Sequence, residues 1–396
     1  MRRVESVAPA VGADTRITFP ERYYRIHPNV GLNFQMNRWL SWLGEWHDSA
    51  LADMRAVAPL IREYGDYIRE FTELARRATA DGHPLKEAYL LRAAEFFMPP
   101  DDPAKPALRR RFLRLVRDHH GVGAADRHLI PYGQGRLPAY RFAPVDHAAR
   151  GVLVVFGGFD SYIEEWFPIL LALRDMGYDV IAFEGPGQGD ALEEFGLPMT
   201  HCWERPVAAV LDHFGLDDVT LLGFSLGGGL AIRAAAFEPR VRRVVADDVL
   251  AVNLRQLNPV ARSVLRVLLA FRAARVVDAL ARQIMRRSLI ATWGLRQGMH
   301  VLGVATPYAY FRAIQRYTTL PTSHLVTQDV LVLAGSQDHY VPRSQFEQQL
   351  RALTGARSVT GRLFTEAEQA HNHCQVGNIG LSLRVIAGWI ALVTRA

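Results

Sequence analysis

The chain has 396 residues, 49% of them hydrophobic and 22% charged, enough for one large domain with a substantial accessory region. No run of 18 uncharged apolar residues occurs, so neither a membrane-crossing helix nor a membrane partner is expected. The formal net charge of +6 is modest for this length, and no basic stretch is interleaved with aromatics, which sets nucleic-acid binding aside.

The chain starts Met1-Arg2-Arg3-Val4-Glu5-Ser6, without the apolar core of a secretory leader. The two cysteines, Cys202 and Cys374, allow one disulfide by arithmetic, but such sparse usage fits a reducing, cytoplasmic location. Residues 20–120 read as helical. Trp39, Leu40, Trp42, Leu43 and Trp46 recur at helical spacing, as do Met54, Val57, Leu60, Ile61 and Tyr64, and then Ile68, Phe71 and Leu74. Such aromatic stripes are the material of packing. Pro99, Pro100 and Pro103 break this pattern, and Arg109-Arg110-Arg111 belongs to a further amphipathic helix.

From His128 the pattern changes. Segments 129–132 and 137–142 bracket a Gly-Gln-Gly turn and read as a hairpin. Strands at 152–156, 179–183, 218–224 and 243–247 then alternate with helices at 166–175, 201–214 and 227–237, which predicts a mostly parallel sheet flanked by helices. The alternation stops at Asn253 and resumes with a strand at 330–334. A helix at 343–353, a strand at 359–364 and a last helix from Leu381 complete it. The helical stretch 253–319 is therefore an insertion between strands. It holds eleven arginines against the single acid Asp278, so its net charge is +10 and that of the remainder −4. A face of this kind is either solvated or draws an anionic partner. The expected layout is an N-terminal helical cap over 1–125 and a catalytic domain over 126–396 carrying the insertion.

The chemistry concentrates at strand ends. Gly223-Phe224-Ser225-Leu226-Gly227 closes an apolar run and opens a small-residue helix. A serine at such a strand–turn–helix is strained, exposed and beside a helix N-terminus: the nucleophile elbow of α/β-hydrolases. Upstream, strand 152–156 runs into Gly157-Gly158-Phe159-Asp160, where a backbone N–H can bind an oxyanion. Phe159 is the first choice for that donor and Gly158 a close alternative, with the N–H of Leu226 as the second donor. Strand 330–334 leads to Asp338, placed to orient a histidine; Asp247 and Asp248, after another strand, are the reserve acids. His371 and His373 compete for the base. With Cys374 they also form a sparse metal-ligand string, too small a set for a zinc site, so no metal and no cofactor are expected.

Several strings resemble one family. Gly157-Gly158-Phe159-Asp160-Ser161 with Glu164-Glu165, Phe183-Glu184-Gly185-Pro186-Gly187-Gln188-Gly189, the elbow, Trp293-Gly294-Leu295-Arg296-Gln297-Gly298-Met299 and His373-Cys374-Gln375-Val376-Gly377-Asn378 are similar to the α/β-hydrolases that include 2,6-dihydroxy-pseudo-oxynicotine hydrolase and the fungal heptaketide hydrolases of the yellowish-green type. The resemblance implies an α/β-hydrolase fold with an N-terminal helical domain over the catalytic mouth and a helical lid, and a homodimer. It also implies a triad of Ser225, Asp338 and His373, which selects His373 over His371. It implies hydrolysis of a carbon–carbon bond beside a ketone in a small polyketide-like substrate, or ester or thioester cleavage or acyl transfer. On the second reading the basic insertion would receive an acidic acyl-carrier protein. A non-catalytic scaffold is a third reading, against which the complete Ser/Asp/His set weighs.

Overall fold

The computed structural model describes residues 17–144 and 147–395; the N-terminal stretch read for a leader lies outside them. Five helices come first: α1 (Val30–Leu40), α2 (His47–Val57), α3 (Tyr64–Ala80), α4 (Pro84–Phe97) and α5 (Lys105–His120). Strands β1 (Arg127–Tyr132), β2 (Gly135–Phe142) and β3 (Val152–Phe156) lead to α6 (Phe167–Asp175), β4 (Asp179–Phe183), α7 (Gly189–Glu193), α8 (Glu204–Phe214), β5 (Val219–Phe224), α9 (Leu226–Ala235) and β6 (Val241–Asp247). Helices α10 (Pro259–Ala270), α11 (Ala274–Met285), α12 (Leu289–Val301) and α13 (Pro307–Ile314) intervene before β7 (Asp329–Gly335), α14 (Arg343–Ala352), β8 (Ser358–Phe364) and α15 (Ile379–Arg395).

The chain divides into two compact units. One holds Arg127–Gln256 and Ile314–Ala396 with the segment before Arg22; the other holds Arg22–Asp126 and Leu257–Ala313. Of the insertion read at 253–319, Leu257–Ala313 packs into one unit with the N-terminal helices. Ring contacts inside that unit give the reason: Phe96 of α4 stacks on Trp293 of α12 at 5.0 Å between centroids.

In the helical unit two sequence stripes are broken where local chemistry ends a helix. Helix α1 stops at Leu40, where the Ser41 hydroxyl donates to the Asn37 carbonyl and Gly44 turns the chain at φ +50°. Trp42 and Trp46 therefore lie beyond it. Pro59 ends α2, and α3 starts afresh at Tyr64 through a capping box between Glu63 and Asp66. Trp39, Tyr67, Phe71, Tyr89 and Phe112 are fully buried, and the Trp39 indole donates to the Tyr67 hydroxyl at 3.0 Å.

In the sheet unit eight strands lie in the order β1-β2-β4-β3-β5-β6-β7-β8. The hairpin and the β2–β4 pair are antiparallel; every pairing from β4 to β8 is parallel. Strands β4, β5 and β7 are buried along their whole length, as the unbroken apolar runs of a two-sided parallel sheet require. Strand order reverses around β3, and the carboxyl ends of β3, β5, β6 and β7 line up on one edge, the usual place for a ligand site in such a sheet. Register puts Phe156 beside Gly223 and Phe224 beside Asp247.

Candidate active site

Ser225 stands between β5 and α9 with φ +60° and ψ −124°, a conformation costly for a residue with a side chain. Backbone packing enforces it. The Ser225 N–H donates to the Asp247 carbonyl at 2.5 Å. A Cβ on Gly223 would overlap the carbonyl of Gly227, one on Gly227 the carbonyl of Gly157, and one on Gly228 the carbonyl of Asp248. Only glycines let these three strand ends and the start of α9 approach so closely. Gly158 is equally tight: a Cβ there would meet the Leu226 nitrogen at 2.8 Å and the Ser225 Cβ at 3.1 Å. The candidate oxyanion turn therefore lies against the first residue of α9, where backbone N–H groups are unsatisfied by the helix.

His373 arrives from the far end of the chain on a single turn of 3-10 helix, His373–Gln375, in which Cys374 and Gln375 take left-handed φ values of +46° and +50°. Its Nε2 lies 2.8 Å from Ser225 Oγ, and its Nδ1 2.6 Å from Asp338 Oδ2. The other Asp338 oxygen accepts the N–H groups of Tyr340 (2.6 Å) and Val341 (3.0 Å), which holds the carboxylate in place. The structure thus brings Ser225, Asp338 and His373 into one chain of contacts. His371 is set apart: its carbonyl accepts the Gln337 N–H at 2.9 Å and its ring meets the Asn372 amide.

Sequence reasoning left Asp247 and Asp248 in reserve, and the structure gives both a place. Asp248 Oδ2 lies 3.2 Å from the same His373 Nδ1 and accepts the Cys374 N–H at 2.6 Å, while its Oδ1 is buried without a hydrogen-bond partner among the described residues. Asp247 faces Gln375, whose amide, with its nitrogen turned inward, donates to both carboxylate oxygens at 2.8 and 3.1 Å. Three carboxylates thus sit behind one imidazole. Sequence spacing could not reveal this, because it depends on β6 pairing with β7 and on the chain returning at 373.

The electrostatics follow from burial and this crowding. Burial works against a charged His373, but the Asp338 and Asp248 carboxylates outweigh it and hold the imidazole well above the ordinary histidine range. Burial and the neighbouring Asp338 raise the carboxyl of Asp248, and burial with Asp248 raises Asp247 further. Burial pushes the Cys374 thiol up to about 12, so it is no thiolate at neutral pH. Asp248, His373 and Cys374 do offer ligand atoms within 4.8 Å of one another. Both imidazole nitrogens are already engaged, however, and a protonated thiol is a poor ligand, so the group fits a hydrogen-bonded relay better than a cation site.

Known proteins place this architecture. The model of the alpha/beta hydrolase fold matches residues 151–370. Hydrolase acrC of Aspergillus aculeatus is 32% identical over 276 residues, covering 60% of this chain and 63% of that protein. Hydrolyase poxO of Penicillium oxalicum is 31% identical over 284 residues, covering 66% and 67%. The 20-hydroxy-prefusarin hydrolase of Gibberella moniliformis is 30% identical over 230 residues, about half of each chain. Among solved structures, 2,6-dihydroxy-pseudo-oxynicotine hydrolase superposes with a TM-score of 0.61 at 20% identity, covering 89% of this chain and 94% of that one; AbyA5 gives 0.62, also at 20%, covering 87% and 89%. At that identity the superpositions speak for the fold. The chain belongs to the alpha/beta hydrolase fold family.

Proposed function

We propose that the protein is a serine hydrolase that cleaves an acyl carbon–carbon bond beside a ketone, in a β-diketone or polyketide-like substrate, through an acyl-enzyme. The observation that carries this reading is the unbroken series from Ser225 Oγ through His373 to Asp338, at 2.8 and 2.6 Å. His373 takes the serine proton as Oγ attacks the carbonyl, and Asp338 stabilises the imidazolium that forms. The N–H of Leu226, with that of Phe159 or Gly158, receives the oxyanion; losing one such donor costs ~10²–10³ in rate. The bond to the neighbouring carbon breaks, its electrons pass to the adjacent ketone as an enolate, and the imidazolium returns the proton to that carbon. Water, deprotonated by His373, then releases the acid. The ketone is essential, since an unstabilised carbanion cannot leave. The hydrolase names of the relatives, among them a prefusarin hydrolase, support the reading.

The second reading keeps the same residues but cleaves or transfers an ester or thioester. It is favoured by α10, α11 and the turns that follow each, where Arg262, Arg266, Arg272, Arg275, Arg282 and Arg286 make no ion pair among the described residues while Phe271, Leu280 and Ile284 beside them are exposed. That face matches an acidic, partly apolar acyl-carrier domain. A cytoplasmic homodimer completes the proposal. Both cysteines are free, and no single helix among the described residues is long and apolar enough to cross a membrane.

The deciding experiment is intact-protein mass after incubation with an activated acyl ester or a β-diketone, on wild type and Ser225→Ala. An adduct on wild type alone, whose mass equals the acyl fragment of the diketone, is expected. Adducts from esters only would select the second reading. Turnover of a diketone with no adduct on either protein would remove the covalent mechanism.

A further inference from the structure

The string Phe183-Glu184-Gly185-Pro186-Gly187-Gln188-Gly189 leaves β4 toward the same sheet edge and has no part in the chemistry described so far. Its glutamine is buried, and its amide is fully committed. Oε1 accepts the Gly185 N–H at 3.0 Å, closing the loop on itself. Nε2 donates to two consecutive carbonyls of the turn after β3, Gly157 at 2.5 Å and Gly158 at 3.0 Å.

Those two carbonyls belong to the peptide units that contain the candidate oxyanion donors. A trans peptide is planar, with its C=O and N–H pointing in opposite directions, and no cis bond occurs among the described residues. Holding the Gly157 carbonyl therefore aims the Gly158 N–H away from Gln188. Holding the Gly158 carbonyl aims the Phe159 N–H likewise. Gly158 itself packs against the elbow, where a Cβ would meet Ser225 Cβ and the Leu226 nitrogen, and the Gly157 carbonyl borders Gly227. One side chain thus fixes the planes of both peptide units whose N–H groups are the candidate donors.

The residue type fits the task. Two donors and one acceptor are needed at one point, and a primary amide supplies both. A carboxylate would face two carbonyl oxygens with no proton to offer, and an apolar side chain would leave both carbonyls buried and unmet. The loop that presents Gln188 is itself anchored: the buried Glu184 carboxylate accepts the N–H groups of Ile163 (3.1 Å) and Asp190 (2.6 Å), tying it to the segment just past the turn.

We infer that Gln188 is the positioning residue of the oxyanion hole, acting through the Gly157 and Gly158 carbonyls without touching substrate. The inference rests on the reading of Ser225 as the nucleophile. The test uses Gln188→Met and Gln188→Glu, each of similar length and lacking the two donors, on a 4-nitrophenyl ester. Inhibition is measured with a trifluoromethyl ketone, which mimics the tetrahedral adduct, and with the carboxylic acid product, which does not. The expected result is a fall in kcat of ~10–10³, a parallel loss of trifluoromethyl ketone affinity, and KM and product affinity changed by less than about threefold, since only transition-state binding is removed. The acid limb of the pH–rate profile, set by His373, stays where wild type has it. Two glutamine variants are used so that failure of one to fold leaves the other to decide. Wild-type kcat in a folded variant, or equal losses for ketone and product, would overturn the inference. Ser225→Ala separates the two levels: if it is inactive while Gln188 variants are unimpaired, only the role of Gln188 falls. If it keeps full turnover, the serine reading falls and takes the oxyanion hole with it.

Discussion

The two halves of the candidate site are held by different means. Ser225 is fixed by main chain: a positive φ, an N–H bonded to a neighbouring strand end, and glycines that let backbones touch. His373 is fixed by side-chain charge: Asp338 and Asp248 on its Nδ1, Asp248 on the next N–H, and Asp247 on the Gln375 amide one residue further. The first arrangement has no proton to lose and is sensitive to volume. The second responds directly to protonation. Close backbone packing holds the strained conformation of Ser225, whereas a group that gains and loses a proton, as a base does, needs compensating charge nearby.

The largest expected effects test the main-chain half. Ser225→Ala should drop kcat by about 10⁶, to background, with an unchanged melting curve. Gly228→Ala should do the reverse: it drives a methyl into the Asp248 carbonyl and should cost about 3 kcal/mol in a denaturant titration, whatever its activity.

Next comes the charge half. Replacing the acid of a triad by its amide costs ~10⁴ in kcat where no other carboxylate is at hand. Here Asp248 remains 3.2 Å from Nδ1, so Asp338→Asn should lose only ~10², Asp248→Asn ~10, and the double variant the full ~10⁴, with the excess read as coupling in a double-mutant cycle. Strict additivity of the two single losses would show that Asp248 does not substitute for Asp338.

The pH dependence is a subtler readout. The base must be neutral to act, and His373 sits above the usual histidine value of about 6.5, so the acid limb of kcat/KM should lie on the alkaline side of that value and move down in Asp248→Asn. Stability runs the other way. A group whose folded pKa is raised adds stability that is complete below about 6.5 and is lost as pH climbs through its folded value, so urea midpoints should fall over that window in wild type and less in His373→Gln. The smallest effect concerns Cys374: with its thiol at about 12, it should resist iodoacetamide at pH 8 in the folded protein, as peptide mapping would show.

What could be read in advance follows the same division. The elbow is local, five residues whose spacing already states the turn, and the strands at 179–183 and 152–156 coincide with β4 and β3 because most of each is a continuous, buried apolar run. Asp338 could be named because it follows such a run. The share of Asp248 in the histidine's surroundings was not legible, since it arises from the lateral order of β6 and β7 and from a turn 125 residues later. Nor was Gln188, whose partners lie 30 residues upstream. In the helical unit, periodicity ran through Ser41–Gly44 and Pro59 because apolar spacing alone cannot register a cap or a missing N–H.

The contact between Gly228 and the Asp248 carbonyl has a consequence for motion. Backbone meets backbone there, with no side chain between to swing aside, so α9 cannot shift relative to the end of β6 without parting the two main chains. Opening of either is therefore opening of both. In hydrogen exchange the amides of Gly228–Leu230 and those at the end of β6 should report one shared opening free energy, and the Ser225 turn and the Asp248 loop behave as a single mechanical part.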